Sequence, residues 1–111
     1  MDKTLKYKEA ILQVLDYPMQ GSNSDMPNVI SQLVVDEEKG LYAMFLFGWY
    51  MEKYIHNLMF HLELKGTQIW IYENNTDYLI DEALQAKGVD VQDIIFAWET
   101  PYELEQLQVA A

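Results

Sequence analysis

Four stretches of strand-forming residues follow one another in the middle of this chain, with only three or four residues between them. They span residues 29–36, 41–49, 54–64 and 68–73. Connections this short join antiparallel neighbours, because a parallel crossover needs a dozen or more residues. The sequence therefore predicts consecutive hairpins, in which each strand pairs with the next one along the chain.

Helical patterns lie on both sides of these strands. Apolar residues from Tyr7 to Leu15 recur at i, i+3, i+4, i+7 and i+8, which is the spacing of one helix face. Pro18 is expected to follow the end of that helix, since proline interrupts helical hydrogen bonding. A second helix is predicted from near Thr76 up to Gly88, a residue suited to the left-handed conformation that follows a helix end.

The remaining pattern completes the predicted fold. Residues 94–98 predict a last short strand, and Pro101 begins a polar tail. We therefore predict an α+β fold for a single domain over residues 1–111. It consists of an N-terminal helix, an antiparallel four- to five-stranded meander-like sheet with helices packed on it, a second helix and a short C-terminal strand.

The sequence carries no pattern typical of export or of a membrane span. Its amino terminus has charges where a signal peptide is apolar. The longest apolar run, residues 41–51, is about half the length of a helix that crosses a bilayer. We expect a cytoplasmic protein with no membrane contact.

The third predicted strand determines where the two histidines point. Alternate residues of a regular strand share a face, so Leu58 and Phe60 are predicted on one face and His61 and Glu63 on the other. His56 lies five residues before His61, which is an odd interval. The two rings are therefore expected on opposite faces, unable to share a metal unless the strand contains a bulge.

One pair of side chains suits metal or proton chemistry better than the two histidines do. His61 and Glu63 share a face, and a histidine beside a carboxylate can bind a metal or relay a proton. A catalytic zinc takes three protein ligands, however, and the chain has no nucleophile elbow, phosphate loop or dinucleotide motif. We expect no enzymatic activity, no catalytic residue, no metal and no cofactor. A small-ligand or metal-binding domain around His61 and Glu63 is the alternative.

The charge of the chain restricts the class of its partners. There are 18 carboxylates against 7 lysines and no arginine, a net charge of −11, and residues 73–111 hold nine carboxylates and one lysine. Nucleic-acid binding depends on cations that neutralise phosphate, and base recognition often uses the arginine fork. The composition argues against direct DNA or RNA binding and favours a basic partner protein. A DNA-binding recombination accessory is kept as an alternative.

Short motifs in a fixed order carry a family resemblance. They are Gly48-Trp49, His56, His61, Ile69-Trp70-Ile71, Thr76, Gly88, Asp93-Ile94 and Pro101. In this order the whole chain resembles the XisI family, the fdxN element excision controlling factors of cyanobacteria. The resemblance implies a small α+β protein that acts with a companion, XisH, in excising a DNA element during heterocyst differentiation. XisH resembles nucleases of the restriction-endonuclease superfamily.

The resemblance implies an accessory role without catalytic residues. We expect a non-enzymatic regulator that binds a XisH-like partner, in element excision or as an antitoxin-like inhibitor whose carboxylates mimic phosphate. The expected contacts are Tyr50, Tyr102, Glu103 and Glu105. Family members usually carry a basic residue after the proline, where this chain has glutamates.

Aromatic residues cluster around the hairpin between the second and third strands. They are Tyr42, Phe45, Phe47, Trp49, Tyr50 and Tyr54. Such a cluster forms either part of the core or a face that binds a partner, because aromatic residues are enriched at protein interfaces. A homodimer through this aromatic face or through a sheet edge is the second expected assembly.

Overall fold

The computed structural model describes residues 3–21 and 27–100. Its elements are α1 (Lys3–Gly21), β1 (Val29–Asp36), β2 (Leu41–Tyr50), β3 (Lys53–Lys65), β4 (Gln68–Asn74), α2 (Ile80–Ala86) and β5 (Ile94–Phe96). Single 3-10 turns at Val91–Asp93 and Ala97–Glu99 flank β5. Pro101 and the expected partner contacts Tyr102, Glu103 and Glu105 lie outside the described residues.

The strands form one five-stranded sheet in the order β1-β2-β3-β4-β5. The first four strands are antiparallel neighbours, as the short connections predict. The fifth pairs with β4 in parallel, because α2 carries the chain back along the sheet before β5 begins. The predicted α+β class is confirmed, with one parallel pair added to an otherwise antiparallel meander.

The core lies between the two helices and one face of the sheet. All five residues of the predicted α1 stripe, Tyr7, Ala10, Ile11, Val14 and Leu15, are buried. They belong to one apolar cluster with Ile80 and Leu84 of α2 and with alternate residues of the strands. Both helices therefore cover the same face of the sheet. No helix among the described residues is long and apolar enough to cross a membrane.

The first helix is longer than the sequence predicts, because it continues through Pro18 to Gly21. Pro18 has no N–H, so the carbonyl of Val14 lacks the donor that a helix normally supplies four residues later. The hydroxyl of Tyr78, in the segment before α2, donates to this oxygen at 3.3 Å. A donor from outside the helix thus replaces the missing bond.

Removing this donor is expected to weaken the fold. In Tyr78→Phe the carbonyl of Val14 loses its replacement partner, and the free energy of unfolding should fall by about 1 kcal/mol. Tyr54→Phe is the matched control, because the Tyr54 ring is exposed at 53% on the sheet. Urea unfolding measures both variants. Equal losses would show that the Tyr78 hydroxyl does not support the helix.

Candidate functional site

The face of the sheet opposite the helices carries several large apolar side chains that are exposed, among them Ile30, Trp49 and Tyr54. Register places alternate residues of β1, β2 and β3 side by side on it. We call this surface the apolar patch, and its members are Ile30, Gln32, Val34, Phe45, Phe47, Trp49, Tyr54 and His56. A shallow groove of about 410 Å³ runs along its centre.

Exposure on the patch is high for such large apolar side chains. Ile30, Trp49 and Tyr54 are each 53% exposed. The adjoining hairpin tip adds Met51, which is 84% exposed, and Tyr50, the one expected partner contact that the structure describes, at 45%. Of the aromatic cluster found in the sequence, only Tyr42 lies in the core. The cluster is therefore mainly a surface feature, and exposed apolar surfaces of this kind often mark interaction sites.

A β-bulge in β3 overturns the predicted positions of the histidines. Phe60 pairs with Met44, but Leu58 pairs with the next residue of β2, so Met59 is the extra residue. A bulge reverses the alternation of faces beyond it. His56 and Leu58 therefore join His61 on the face away from the helices, whereas regular alternation predicts His56 on the opposite face from His61 and Leu58 on the core face.

The two histidines are nevertheless too far apart to share a metal. His56 pairs with Phe47 and His61 with Ala43, which are four residues apart on β2, or roughly 13 Å along a strand. The two residues of the predicted metal pair, His61 and Glu63, also contact other side chains. The ring of His61 packs 4.8 Å from that of Tyr72, and the carboxylate of Glu63 lies 3.6 Å from the ammonium of Lys65. Nowhere in residues 3–21 and 27–100 do three potential metal-binding side chains cluster.

Asn75 holds the bulge in place. Its backbone N–H donates to the carbonyl of Met59 at 2.9 Å, and its side-chain amide donates to the carbonyl of Leu58 at 2.8 Å. Irregular backbone leaves carbonyls without ladder partners, and these two bonds satisfy two of them. The orientation of His56 on the apolar patch thus depends on a residue beyond the end of β4.

The side-chain part of this support can be removed alone. In Asn75→Ala the carbonyl of Leu58 loses its donor, and the free energy of unfolding should fall by about 1 kcal/mol. Resonances of His56 should move in NMR spectra, because the strand beyond the bulge loses its anchor. Asn57→Ala is the control, since Asn57 is an exposed residue of the same strand. Unchanged His56 resonances in Asn75→Ala would contradict this account.

Carboxylates dominate the segment from the end of β4 to the second 3-10 turn. Its described members are Glu73, Asp77, Asp81, Glu82, Asp90, Asp93 and Glu99. Lys3 contacts two of them, Asp93 at 2.7 Å and Asp90 at 3.2 Å. The other five form no ion pair within the described residues. We call this set of seven carboxylates the acidic segment.

Comparison with known proteins agrees with this architecture. The family model described as XisI protein matches residues 1–111. This chain belongs to the XisI family. The resemblance indicated by the sequence motifs is confirmed, whereas comparison with curated proteins finds no match.

Two crystal structures of XisI-family proteins from Anabaena variabilis share the fold. A XisI-like protein is 30% identical, with a TM-score of 0.78 over 90% of this chain and 91% of that chain. The fdxN element excision controlling factor XisI is 26% identical, with a TM-score of 0.70 over 92% of each chain.

Thr76, one of the XisI motif residues, builds the turn that leads into α2. Its hydroxyl donates to the side-chain oxygen of Asn74 at 2.8 Å and accepts from the N–H of Tyr78 at 3.1 Å. The amide of Asn74 in turn donates to the carbonyl of Tyr78 at 2.8 Å. This hydrogen-bonded turn delays the helix, which begins at Ile80 and not near Thr76 as the sequence pattern predicts.

Asp93, another XisI motif residue, ties the second half of the chain to α1. Its carboxylate accepts a hydrogen bond of 2.5 Å from the hydroxyl of Tyr7 and lies 2.7 Å from the ammonium of Lys3. Hydrogen bonds from Lys3 and Tyr7 hold the pKa of Asp93 below its ordinary value of 3.8. Burial, followed by the bond to Asp93, raises the pKa of Tyr7.

The other XisI motif residues divide between the fold and the face away from the helices. Gly48 and Gly88 have φ angles of +133° and +95°, so these two positions require glycine for backbone conformation. The positive φ predicted for Gly88 after the end of the second helix is confirmed. Trp70 is buried with the ammonium of Lys65 at 4.8 Å from its ring. Trp49 and His56 lie on the apolar patch. The structure therefore does not bring the motif residues together into one site.

Proposed function

We propose that this chain is a non-enzymatic accessory protein that acts in DNA element excision by binding and controlling a basic, XisH-like partner. One structural relative is an fdxN element excision controlling factor, and this likeness supports a role in element excision. The acidic segment is the observation that carries the proposal. Five of its seven carboxylates have no cationic partner within the described residues, so they are available to a partner protein.

Charge makes such a surface selective for basic proteins. Complementary fields steer association, and carboxylates carry the same sign of charge as a phosphate backbone. A XisH-like protein that handles nucleic acid presents a basic surface to phosphate. The acidic segment would compete for that surface, as an antitoxin-like inhibitor does.

Contacts within the chain disfavour the two alternatives, direct DNA binding and a ligand site at His61 and Glu63. Lys3, Lys8 and Lys65 form ion pairs with carboxylates of the chain itself, which weakens their attraction for DNA phosphate. A ligand site at His61 and Glu63 is disfavoured because Tyr72 packs against the ring of His61 and Lys65 forms an ion pair with Glu63. Binding of a basic partner protein would instead use the five carboxylates of the acidic segment that form no ion pair within the described residues.

Co-purification with a XisH-like protein tests the proposal. We expect a complex at low ionic strength that the double variant Asp81→Asn/Glu82→Gln weakens several-fold, because α2 loses two charges of the acidic segment. Glu38→Gln/Glu52→Gln is the matched control, since it removes two charges from exposed turns elsewhere. Absence of a complex at low ionic strength, or equal weakening by both variants, would contradict the proposal.

The apolar patch suits a second copy of the chain better than a basic partner. None of its eight members is a carboxylate, although the chain has 18, so two patches meet without placing like charges in contact. Apolar contact between identical surfaces is the usual arrangement of a symmetric dimer. The homodimer expected from the sequence is therefore proposed to form through the apolar patch.

Sedimentation measures this assembly directly. The wild-type chain should sediment as a dimer, and Ile30→Lys as a monomer, because the dimer would bury the added ammonium. Leu79→Lys is the matched control, since Leu79 is 57% exposed and lies outside the patch. A monomeric wild type, or loss of the dimer in both variants, would contradict assembly through the patch.

A further inference from the structure

A small notch opens beside the end of β4, apart from the apolar patch. Its volume is about 290 Å³, and it is lined by Tyr72, Glu73, Asn74, Asn75 and Trp98. Trp98, in the 3-10 turn after β5, is 58% exposed and packs on Phe96 at 5.2 Å between ring centroids. A notch of this size is below that of most cofactor sites and suits one side chain.

The lining of the notch combines aromatic rings with a negative charge. Glu73 belongs to the acidic segment and forms no ion pair among residues 3–21 and 27–100. Tyr72, the neighbour of Glu73 in β4, and Trp98 each supply a ring to the lining of the notch. The side-chain amides of Asn74 and Asn75 already donate to the carbonyls of Tyr78 and Leu58, so we assign them no hydrogen bond to a bound side chain. A cation that also stacks on aromatic rings matches these groups.

The neighbouring surface shows that this sheet holds cations against rings. The ammonium of Lys65 lies 4.8 Å from the ring centre of Trp70 and 5.4 Å from that of Tyr72. The carboxylate of Glu63, 3.6 Å away, balances its charge. The notch presents the same kinds of group, an exposed ring and a carboxylate, to a cation from outside.

Arginine matches the notch better than lysine does. A guanidinium is planar and weakly hydrated, so it stacks on an indole and bonds a carboxylate in the same pose, whereas an ammonium is a strongly hydrated point charge. The chain contains no arginine, so neither this molecule nor a second copy can supply one. The occupant must belong to another molecule.

We infer that the notch formed by Tyr72, Glu73 and Trp98 binds an arginine side chain of the partner protein. The inference rests on the proposed function and deepens it, because it names the residue type that the acidic segment selects. Trp98 stacks on the guanidinium, and Glu73 pairs with it. The carboxylates of the acidic segment attract basic proteins in general, and the notch adds a preference for arginine over lysine.

Oligoarginine and oligolysine peptides of equal length test the inference on the full chain. The wild type should bind the arginine peptide about three- to fivefold more tightly, the effect of one exposed cation–π contact. The indole N–H resonance of Trp98 should shift on adding that peptide. Trp98→Leu should bind both peptides equally, whereas Trp49→Leu, which changes a tryptophan of similar exposure (53%) on the apolar patch, should keep the preference.

The outcomes separate this inference from the proposed function. Salt-dependent but equal binding of the two peptides, or an arginine preference that survives in Trp98→Leu, overturns the notch and leaves the acidic surface intact. Absence of binding by either peptide at low ionic strength overturns both. Glu73→Gln gives a second reading, because it should reduce the arginine preference with the Trp98 ring unchanged.

Discussion

Replacing Gly48 by alanine is expected to destabilise the fold by about 3 kcal/mol. A Cβ at this position would lie 2.2 Å from the carbonyl oxygen of Asn28 and 3.0 Å from the Cα of Val29. Both are backbone atoms at the start of β1, and the Asn28 carbonyl also accepts the N–H of Trp49 at 3.0 Å. The φ angle of +133° adds strain for any side chain. The clash can be relieved only by moving β1.

The variant Gly66→Ala separates the cost of the steric clash at position 48 from the cost of a positive φ angle. Gly66 has a φ of +62°, but no atom lies within 4 Å of the Cβ it would gain. Its substitution should therefore cost only the conformational strain, about 1 kcal/mol. Urea unfolding of the two variants measures the difference. Equal losses would show that contact with Asn28 is not what requires glycine at position 48.

Replacing Asp93 by alanine is expected to cost about 2 to 3 kcal/mol, the range for a buried hydrogen bond to a charged group. The Tyr7 residue is fully buried, and its hydroxyl would lose its acceptor. Asp90→Ala is the matched control, because Asp90 also contacts Lys3 but its side chain is 58% exposed. The control should lose only a small fraction of that stability. Similar losses in both variants would contradict the role of the Tyr7–Asp93 bond.

The charge of Asp93 makes its contribution depend on pH. Its pKa in the folded chain lies below the ordinary value of 3.8, so folding favours the ionised form. The stability gap between the wild type and Asp93→Asn should be full at neutral pH. It should shrink as the pH falls below about 4, through the folded-state pKa, because the carboxylate becomes protonated. Urea unfolding over an acid pH series measures this gap, and a constant gap would exclude the charge as its cause.

Local patterns predict most of the fold because they reflect contacts within one element. The α1 stripe and the four hairpin strands follow from the period of apolar residues and from connection length. Two deviations come from distant partners. Pro18 is tolerated because the hydroxyl of Tyr78 reaches Val14, and the bulge at Met59 depends on Asn75, 17 residues after Leu58. No local pattern contains either contact.

The candidate sites were less accessible from the sequence for the same reason. The apolar patch assembles from three strands only once their register is known, and the bulge decides that His56 belongs to it. The notch joins Tyr72 and Glu73 of β4 to Trp98, which parallel pairing of β5 brings alongside. The acidic segment could be found from the sequence, because counting charged residues does not require the pairing of the strands to be known.

The proposed division of surfaces has a functional consequence. The apolar patch shares no residue with the acidic segment or with the notch. Each surface can then be altered without the other. A monomeric Ile30→Lys variant should still bind a basic partner, and an acidic-segment variant should still dimerise.

Binding to the partner can be measured by calorimetric titration of the chain with a purified XisH-like protein over a salt series. We expect a complex whose dissociation constant rises steeply with ionic strength, since the contact is between carboxylates and basic residues. A dissociation constant that does not change with salt, or no binding at the lowest salt, would contradict it.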